Sequence, residues 1–301
     1  MRIEIKNIGK IREARVDLSS VAVLAGENNS GKSTVGKVLY SIYRALKGGE
    51  DLAGVLTEDF DGLLRFGSEG GEINLEGNLS CRIKIDDDGK MEIGKLKKAN
   101  FHMAYVDDPN ILDFKVGAPY LSELLNKRRL DLLYMLEHAR AGGQAYINER
   151  LEKLLSGDLL VRDGRFYYSK NDGLSMQNTS SGLKMFLILQ GLFKNGWLGA
   201  NSILIFDEPE VHLHPEWQLI FAKVCMDILK AFDLRILVNT HSPYLVNAFE
   251  VYAANEGLGA RFYLTENSED FADIVDVTTD IDRIYKELAQ PFSKLEVEAY
   301  E

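Results

Sequence analysis

Apolar and polar residues alternate through Ile3, Ile5 and Ile8, resume at Ile11 and Val16, and then give way to the unbroken apolar run Val21 to Ala25. Alternation marks a strand with one buried face, and a short unbroken run marks a strand buried on both. The chain therefore opens with two half-buried strands feeding a fully buried one. Beyond them Val35, Val38, Leu39, Ile42 and Leu46 recur with a helical period. Between strand and helix stands Gly26-Glu-Asn-Asn-Ser-Gly-Lys-Ser-Thr34, so the predicted order is strand, glycine loop, helix.

Residues 48–100 are rich in Gly and Asp, with short alternating runs (EINLEG, CRIKID, KMEIG) around a DDDG turn. They predict a small antiparallel sheet laid over the first lobe. The Asp86 turn lacks the ligand spacing of a calcium loop and reads as a hairpin turn. FHMAYV predicts a strand that ends before Pro109. From Tyr120 to Leu155 the period is helical, broken at Gly142-Gly143: Leu121, Leu124, Leu125, Leu132 and Leu136 mark one helix, and Ile147, Leu151, Leu154 and Leu155 the next. At about 1.5 Å per residue these helices form a short arm, not a long coiled coil. A strand RFYYS, a polar linker from Asn171 to Thr179, and a helix opened by Ser180-Ser-Gly-Leu-Lys184 and running to about Lys194 follow. The run SILIFDE then predicts a buried strand ending in two carboxylates. A helix from about Glu216 to Phe232, the strand RILVNT ending at His241-Ser-Pro, another helix, a last strand at 261–265 and an acidic tail complete the chain. The fold class predicted is α/β, with a mixed central sheet, an added antiparallel β-subdomain at about 48–100 and a short helical arm.

The glycine loop meets the pattern G-x-x-x-x-G-K-[ST] at Gly26, Gly31, Lys32 and Ser33. Its chemistry follows from the residue types. Glycines let backbone N–H groups turn inward around phosphate oxygens, and a helix N-terminus adds positive potential. Lys32 reaches the β and γ phosphates and Ser33 ligates magnesium, with Asn28, Asn29, Ser30 and Thr34 completing the nucleotide set. Asp207 and Glu208 are aimed at the carboxyl edge of their strand. Asp207 holds the magnesium shell through Ser33 and water, while Glu208 polarises the attacking water; the strand pleat is expected to part the two side chains. His241, 33 residues beyond Glu208, ends the next apolar strand; if that strand neighbours the Asp207 strand, its imidazole is expected to reach the γ phosphate or the attacking water.

Taken in this order, phosphate loop, Ser-Ser-Gly-Leu-Lys, Asp-Glu strand and strand-terminal His resemble an ATP-binding-cassette (ABC-type) ATPase, a P-loop NTPase, across roughly residues 1–265. The opening IEIKNIGKIREARVDL before GENNSGKST, together with DEPEVHLHP and NTHSP, most resembles the OLD-family, RecF-like and SMC-like group. The resemblance implies ATP and Mg2+ as cofactors and an ATP-dependent homodimer, closed head to tail. In that arrangement Ser181-Gly182 caps the γ phosphate of the nucleotide on the opposite subunit, and Lys184 is a further phosphate contact. It also implies a nucleotide-binding lobe at 1–118 and 196–265 and a helical arm with signature lobe at 119–195, followed by the acidic tail 266–301.

Several positions depart from the family pattern. Leu183 and Lys184 stand where the signature is usually Gly-Gln, and Asp107-Asp108-Pro109-Asn110 stands where a glutamine loop is expected. Asp108 is either near the metal or an aspartate turn before proline. His212 and His214 belong to the loop crossing the dimer interface rather than to a metal pair. The function implied is an ATP-hydrolysing ATPase that gates a partner effector, such as a separate nuclease or toxin, or a nucleic-acid transaction, in bacterial anti-phage defence or DNA maintenance. The residues after Thr265 are too few for the catalytic domain of OLD-type nucleases. Alternatives are the nucleotide-binding subunit of a transporter, which the signature departure and missing glutamine disfavour, and a nucleotide-dependent scaffold with little hydrolysis, which an intact Glu208 disfavours.

Composition sharpens this in three places. The chain has 301 residues, 46% apolar, enough for one large or two domain-sized units, and lacks any run of about 18 apolar residues that a membrane helix needs. No signal peptide opens it, so cytoplasm is the expected location, without a membrane partner. Cys81 and Cys225 lie far apart, which supports neither a disulfide framework nor a zinc site. The net charge of −11 disfavours general attraction to nucleic acid, yet residues 266–301 carry eleven acids against three bases, so most of it belongs to the tail. Nucleic acid remains a possible partner through Lys95, Lys97, Lys98 and the run Lys127-Arg128-Arg129. Within the tail, Phe271, Ile274, Val277, Ile281, Ile284 and Leu288 mark docking or partner contact.

Overall fold

The alternation at the start of the chain becomes an antiparallel hairpin in the computed structural model, which describes residues 1–60, 62–77, 79–97, 101–170 and 174–298. In it β1 (Arg2–Ile8) pairs with β2 (Ile11–Asp17), placing Ile3 opposite Val16 and Ile5 opposite Ala14. All four side chains are buried, as is every residue of β3 (Val21–Ala25). By their contacts the residues divide into two units, 1–100 with 237–301, and 101–236.

The first unit holds a large mixed sheet in the order β6 (Met91–Ile93), β5 (Cys81–Asp86), β4 (Gly70–Glu76), β1, β2, β14 (Ala272–Asp276), β13 (Ala260–Asn267), β3, with β12 (Arg235–Thr240) next to β3. The antiparallel strands β4 (Gly70–Glu76), β5 (Cys81–Asp86) and β6 (Met91–Ile93) are present. They do not lie over the lobe as the sequence predicts. Instead β4 pairs edge to edge with β1, setting Ile73 opposite Ile5 and Leu75 opposite Ile3. An open β1 edge leaves backbone donors and acceptors unsatisfied, and this pairing closes it while joining the apolar faces of both strands. The same region contains a helix that the Gly- and Asp-rich composition concealed, α2 (Leu52–Asp59), capped by the Asp51 carboxylate at the Gly54 amide, 2.9 Å. It packs beside α1 (Lys32–Gly48).

The boundary of the acidic tail is also corrected. β13 (Ala260–Asn267) runs past Thr265, parallel to β3, and β14 (Ala272–Asp276) inserts between β13 and β2. α9 (Asp282–Glu298) follows, in contact with α8 (Pro243–Asn255). Ile274, Val277 and Ile284 are buried, so these three apolar residues dock within their own chain. In the same segment Asp273 pairs with Arg12, Asp276 with Arg261 and Glu266 with Arg283. Phe271 lies under the Arg12 guanidinium, 4.0 Å from the ring centre.

In the second unit β7 (Met103–Val106) pairs in parallel with β11 (Ile203–Asp207), Val106 opposite Phe206. The single helix expected from Leu121 to Leu136 is two, α3 (Leu121–Leu124) and α4 (Lys127–Glu137). Leu125 is extended and Asn126 caps α4 by accepting from the Arg129 amide at 3.1 Å, a local bond that the leucine period does not reveal. α5 (Glu149–Leu155) starts after its cap Asn148, which leaves Ile147 outside the helix and exposed. Three short antiparallel strands follow, β8 (Leu159–Arg162), β9 (Arg165–Tyr168) and β10 (Leu174–Ser175). α6 (Ser181–Lys194) is the buried spine of the unit, apolar through Met185–Leu189, and α7 (Pro215–Ala231) is the helix expected after the Asp-Glu strand. No helix among the described residues is long and apolar enough to cross a membrane.

Candidate functional site

The glycine loop leaves β3 at Gly26 and enters α1 at Lys32. Its path requires left-handed backbone at Gly26 (φ +147°) and Gly31 (φ +86°). Space excludes a side chain as well: a Cβ on Gly26 would stand 3.1 Å from Thr265 and one on Gly31 3.0 Å from Ile11. The back of the loop is thus pressed onto β13 and β2, while Glu27, Asn28 and Asn29 are exposed at its front. Gly31 supplies no side-chain cap to α1. The positive end of the helix dipole is the kind of place that suits an anion.

Lys32 is buried, and its ammonium donates to the carbonyls of Gly26 (3.0 Å) and Glu27 (2.5 Å) and to the Ser30 hydroxyl (3.4 Å). The positive charge is therefore held inside the ring of the loop. A glycine-walled turn, a helix N-terminus and an enclosed ammonium fit a polyphosphate, and Ser33 in the first turn offers a hydroxyl of the kind magnesium takes. His241 follows β12, half-buried, in a turn fixed by the Ser242 amide donating to the Thr240 hydroxyl (3.0 Å). Ser242 then caps α8 at the Leu245 amide. The first unit thus carries Gly26, Asn28, Asn29, Ser30, Gly31, Lys32, Ser33, Thr34 and His241.

The second unit carries the acids. Asp207 is the last residue of β11, and its carboxylate accepts a hydrogen bond from Tyr105 of β7 at 2.6 Å. Burial, and then the charge of Asp207, push the Tyr105 phenol well above its ordinary range, so it stays protonated and donates. Arg128 lies 5.3 Å from the centre of the same ring. Glu208 diverges from Asp207 for a reason other than the strand pleat: its backbone is left-handed (φ +53°, ψ +52°) and turns the chain into the 3-10 segment Pro209–His212. A glutamate in that region carries strain of roughly 1–3 kcal/mol, which the surrounding structure must hold.

The residues that the resemblance makes a signature open α6. Ser180 caps the helix at the Leu183 amide (3.3 Å). Ser181 donates its hydroxyl to Asn110 Oδ1 (3.0 Å), and Gly182 lies so close to the 209–212 segment that a Cβ would stand 2.9 Å from the His212 carbonyl. Lys184 is paired within its own chain. It is buried, with its ammonium on both oxygens of Asp113 (2.8 and 2.7 Å) and on Asn110 (3.2 Å). A long cation on an apolar helix needs such a partner, and the segment after β7 provides it.

The turn in place of a glutamine loop is an aspartate turn: Asp108 accepts from the Asn110 amide at 2.9 Å. Asp107 pairs with Arg129 at 2.8 Å. Of the expected phosphate-contacting run, Arg128 and Arg129 therefore turn inward, and Lys127, Lys95 and Lys97 are exposed; Lys98 lies outside the described residues. His214 caps α7 at the Glu216 amide. His212 has its pKa lowered, chiefly by burial, with Asp108 opposing the shift and Lys184 adding to it. No group of three or more potential metal-binding side chains occurs among the described residues. Tyr105, Asn110 and Asp113 had no signal in the sequence, since each acts on a residue at least 70 positions away.

A strand, glycine loop and helix on a mixed sheet make the arrangement of a P-loop ATPase. Residues 96–246, half of the chain, match the AAA ATPase domain family (AAA_15), and the protein belongs to that family. The match takes in the signature and the acids; the phosphate loop lies before it. Among solved structures the chain is similar to an SMC head bound to the C-winged helix domain of ScpA (TM-score 0.59, 13% identity, 94% of this chain and 98% of that one). It is similar also to an SMC head with extended coiled coil bound to the C-terminal domain of ScpA from Pyrococcus furiosus (0.57, 12%, 95% and 98%). The SMC head domain from Thermotoga maritima gives 0.52, at 14% identity over 92% and 98%. At such identities the likeness is one of fold. A 49-residue stretch is 41% identical to protein ea59 of Escherichia phage lambda, covering 16% of this chain and only 9% of that protein.

Proposed function

We propose that the protein binds and hydrolyses ATP with magnesium as an OLD-type ABC ATPase, and that ATP closes two copies head to tail. Lys32 and the loop amides bind the phosphates, Ser33 and Asp207 hold the metal, Glu208 accepts a proton from the attacking water, and His241 acts on the γ phosphate side. Ser181 and Gly182 serve the nucleotide of the opposite copy. ATP supplies the phosphoanhydride and magnesium the charge that stabilises its phosphate oxygens. The observation that carries the reading is the enclosure of the Lys32 ammonium by a loop whose glycines are sterically obligatory.

The closed and open states would then be passed to a separate effector protein, such as a nuclease or toxin, or to nucleic acid, in anti-phage defence or DNA maintenance. The run DEPEVHLHP with NTHSP supports the OLD assignment, and the protein-bound SMC heads give a precedent for a partner on this fold. The test compares wild type with Glu208→Gln by ATPase assay and by mass measurement with and without ATP-magnesium. Loss of turnover with accumulation of an ATP-bound dimer is expected. A Glu208→Gln protein that hydrolyses ATP as wild type does, or remains monomeric at saturating ATP and high protein concentration, overturns it. Proteins that copurify from the source cell identify the effector.

A further inference from the structure

The hydroxyl of Ser181 has one proton to give, and in this structure it is given to Asn110. The direction is fixed by chemistry. The Lys184 ammonium, which can only donate, faces the same Asn110 atom at 3.2 Å, so that atom is the amide oxygen and Ser181 must be the donor to it. Lys184 is locked in turn by Asp113, and its side chain is 4% exposed. Four side chains thus tie the start of α6 to the 3-10 segment Pro109–Asp113.

We infer that Asn110 is a positioning residue that withholds the signature serine. This rests on the reading of Ser181 as a donor to the partner copy's nucleotide. A phosphate oxygen asks for the same proton that Asn110 accepts, so the two contacts exclude each other. Closing the dimer requires the Ser181 hydroxyl to rotate away from Asn110, while the Lys184–Asp113 pair keeps the helix start in place. ATP-driven closure is therefore opposed by a contact made within each chain, and the strength of the Asn110 acceptor sets the ATP concentration at which closure occurs.

The inference predicts opposite effects from two substitutions at one position. Asn110→Ala removes the acceptor and frees the proton. Asn110→Asp keeps the shape, makes the acceptor anionic and tightens the hold on Ser181 and Lys184. Each is made in the full chain carrying Glu208→Gln, beside Ser181→Ala, and the dimer fraction is measured against ATP-magnesium concentration by mass photometry, with thermal melts to verify folding. Half-closure is expected at about fivefold lower ATP for Asn110→Ala, the size of one ordinary hydrogen bond, and at higher ATP for Asn110→Asp. Ser181→Ala is expected to lose closure. Should Ser181→Ala close normally, the head-to-tail reading fails and takes the inference with it. Should Ser181→Ala fail to close while both Asn110 variants weaken closure, or neither changes it, the reading stands and the withholding role is overturned.

Discussion

The phenol of Tyr105 donates to the carboxylate of Asp207 across 2.6 Å, joining the centre of β7 to the end of β11. Tyr105 is 1% exposed, so its hydroxyl cannot exchange this partner for bulk water. One oxygen of the proposed metal-shell carboxylate is thereby oriented from inside the fold. Tyr105→Phe keeps the ring and removes the donor. A hydrogen bond to a charged group contributes about 1.5–3 kcal/mol, so ATP turnover at limiting magnesium should fall about tenfold or more. Part of the loss should return at high magnesium. ATPase rates across a magnesium series check this, and an unchanged series would show that Asp207 needs no such orientation.

The strand beyond residue 267, β14, is a structural part of the sheet. Ending the chain there removes β14 from between β2 and β13 and strips away Ile274, Val277 and Ile284, all buried. Burying an apolar side chain of this size contributes about 1.5–3 kcal/mol, against a total stability of roughly 5–15 kcal/mol. A protein stopped at Asn267 should therefore be insoluble or lack a cooperative melt. Recovery of a folded protein with the wild-type midpoint would contradict the placement of β14.

His212 makes stability depend on pH in a defined direction. Its pKa in the folded protein lies below the ordinary 6.5, mainly through burial, so below that pH the unfolded chain binds more protons than the folded one. Stability should therefore fall as pH drops from about 6.5 towards the folded value. His212→Gln should flatten the change in urea midpoint between pH 7.5 and pH 5.5. Equal slopes for variant and wild type would exclude the linkage.

Both thiols are buried and neither is activated. Burial pushes Cys81 up to about 11 and raises Cys225 further. Reactivity depends on the thiolate, so native protein at pH 8 should resist a disulfide reagent for thiols and react at both cysteines in denaturant. Rapid labelling of the native protein would show that one of these helices or strands opens readily.

By itself the sequence determined what depends on near neighbours. The strand, glycine loop and helix at 21–48 were legible because glycine spacing and a change of hydrophobic period are local signals. So were the Asp-Glu strand end and the start of α6 at Ser180-Ser181. Only the tertiary structure decided which edges meet: β4 on β1, and β14 between β2 and β13, so that an apparent acidic tail is a strand and helix of the first unit. It alone also decided where the lone charges go. Arg128 and Arg129 turn in towards Tyr105 and Asp107, and Lys184 turns to Asp113. The physical reason is the same in each case: a strand edge or a buried charge must find a partner, and spacing along the chain does not say which distant residue will supply it.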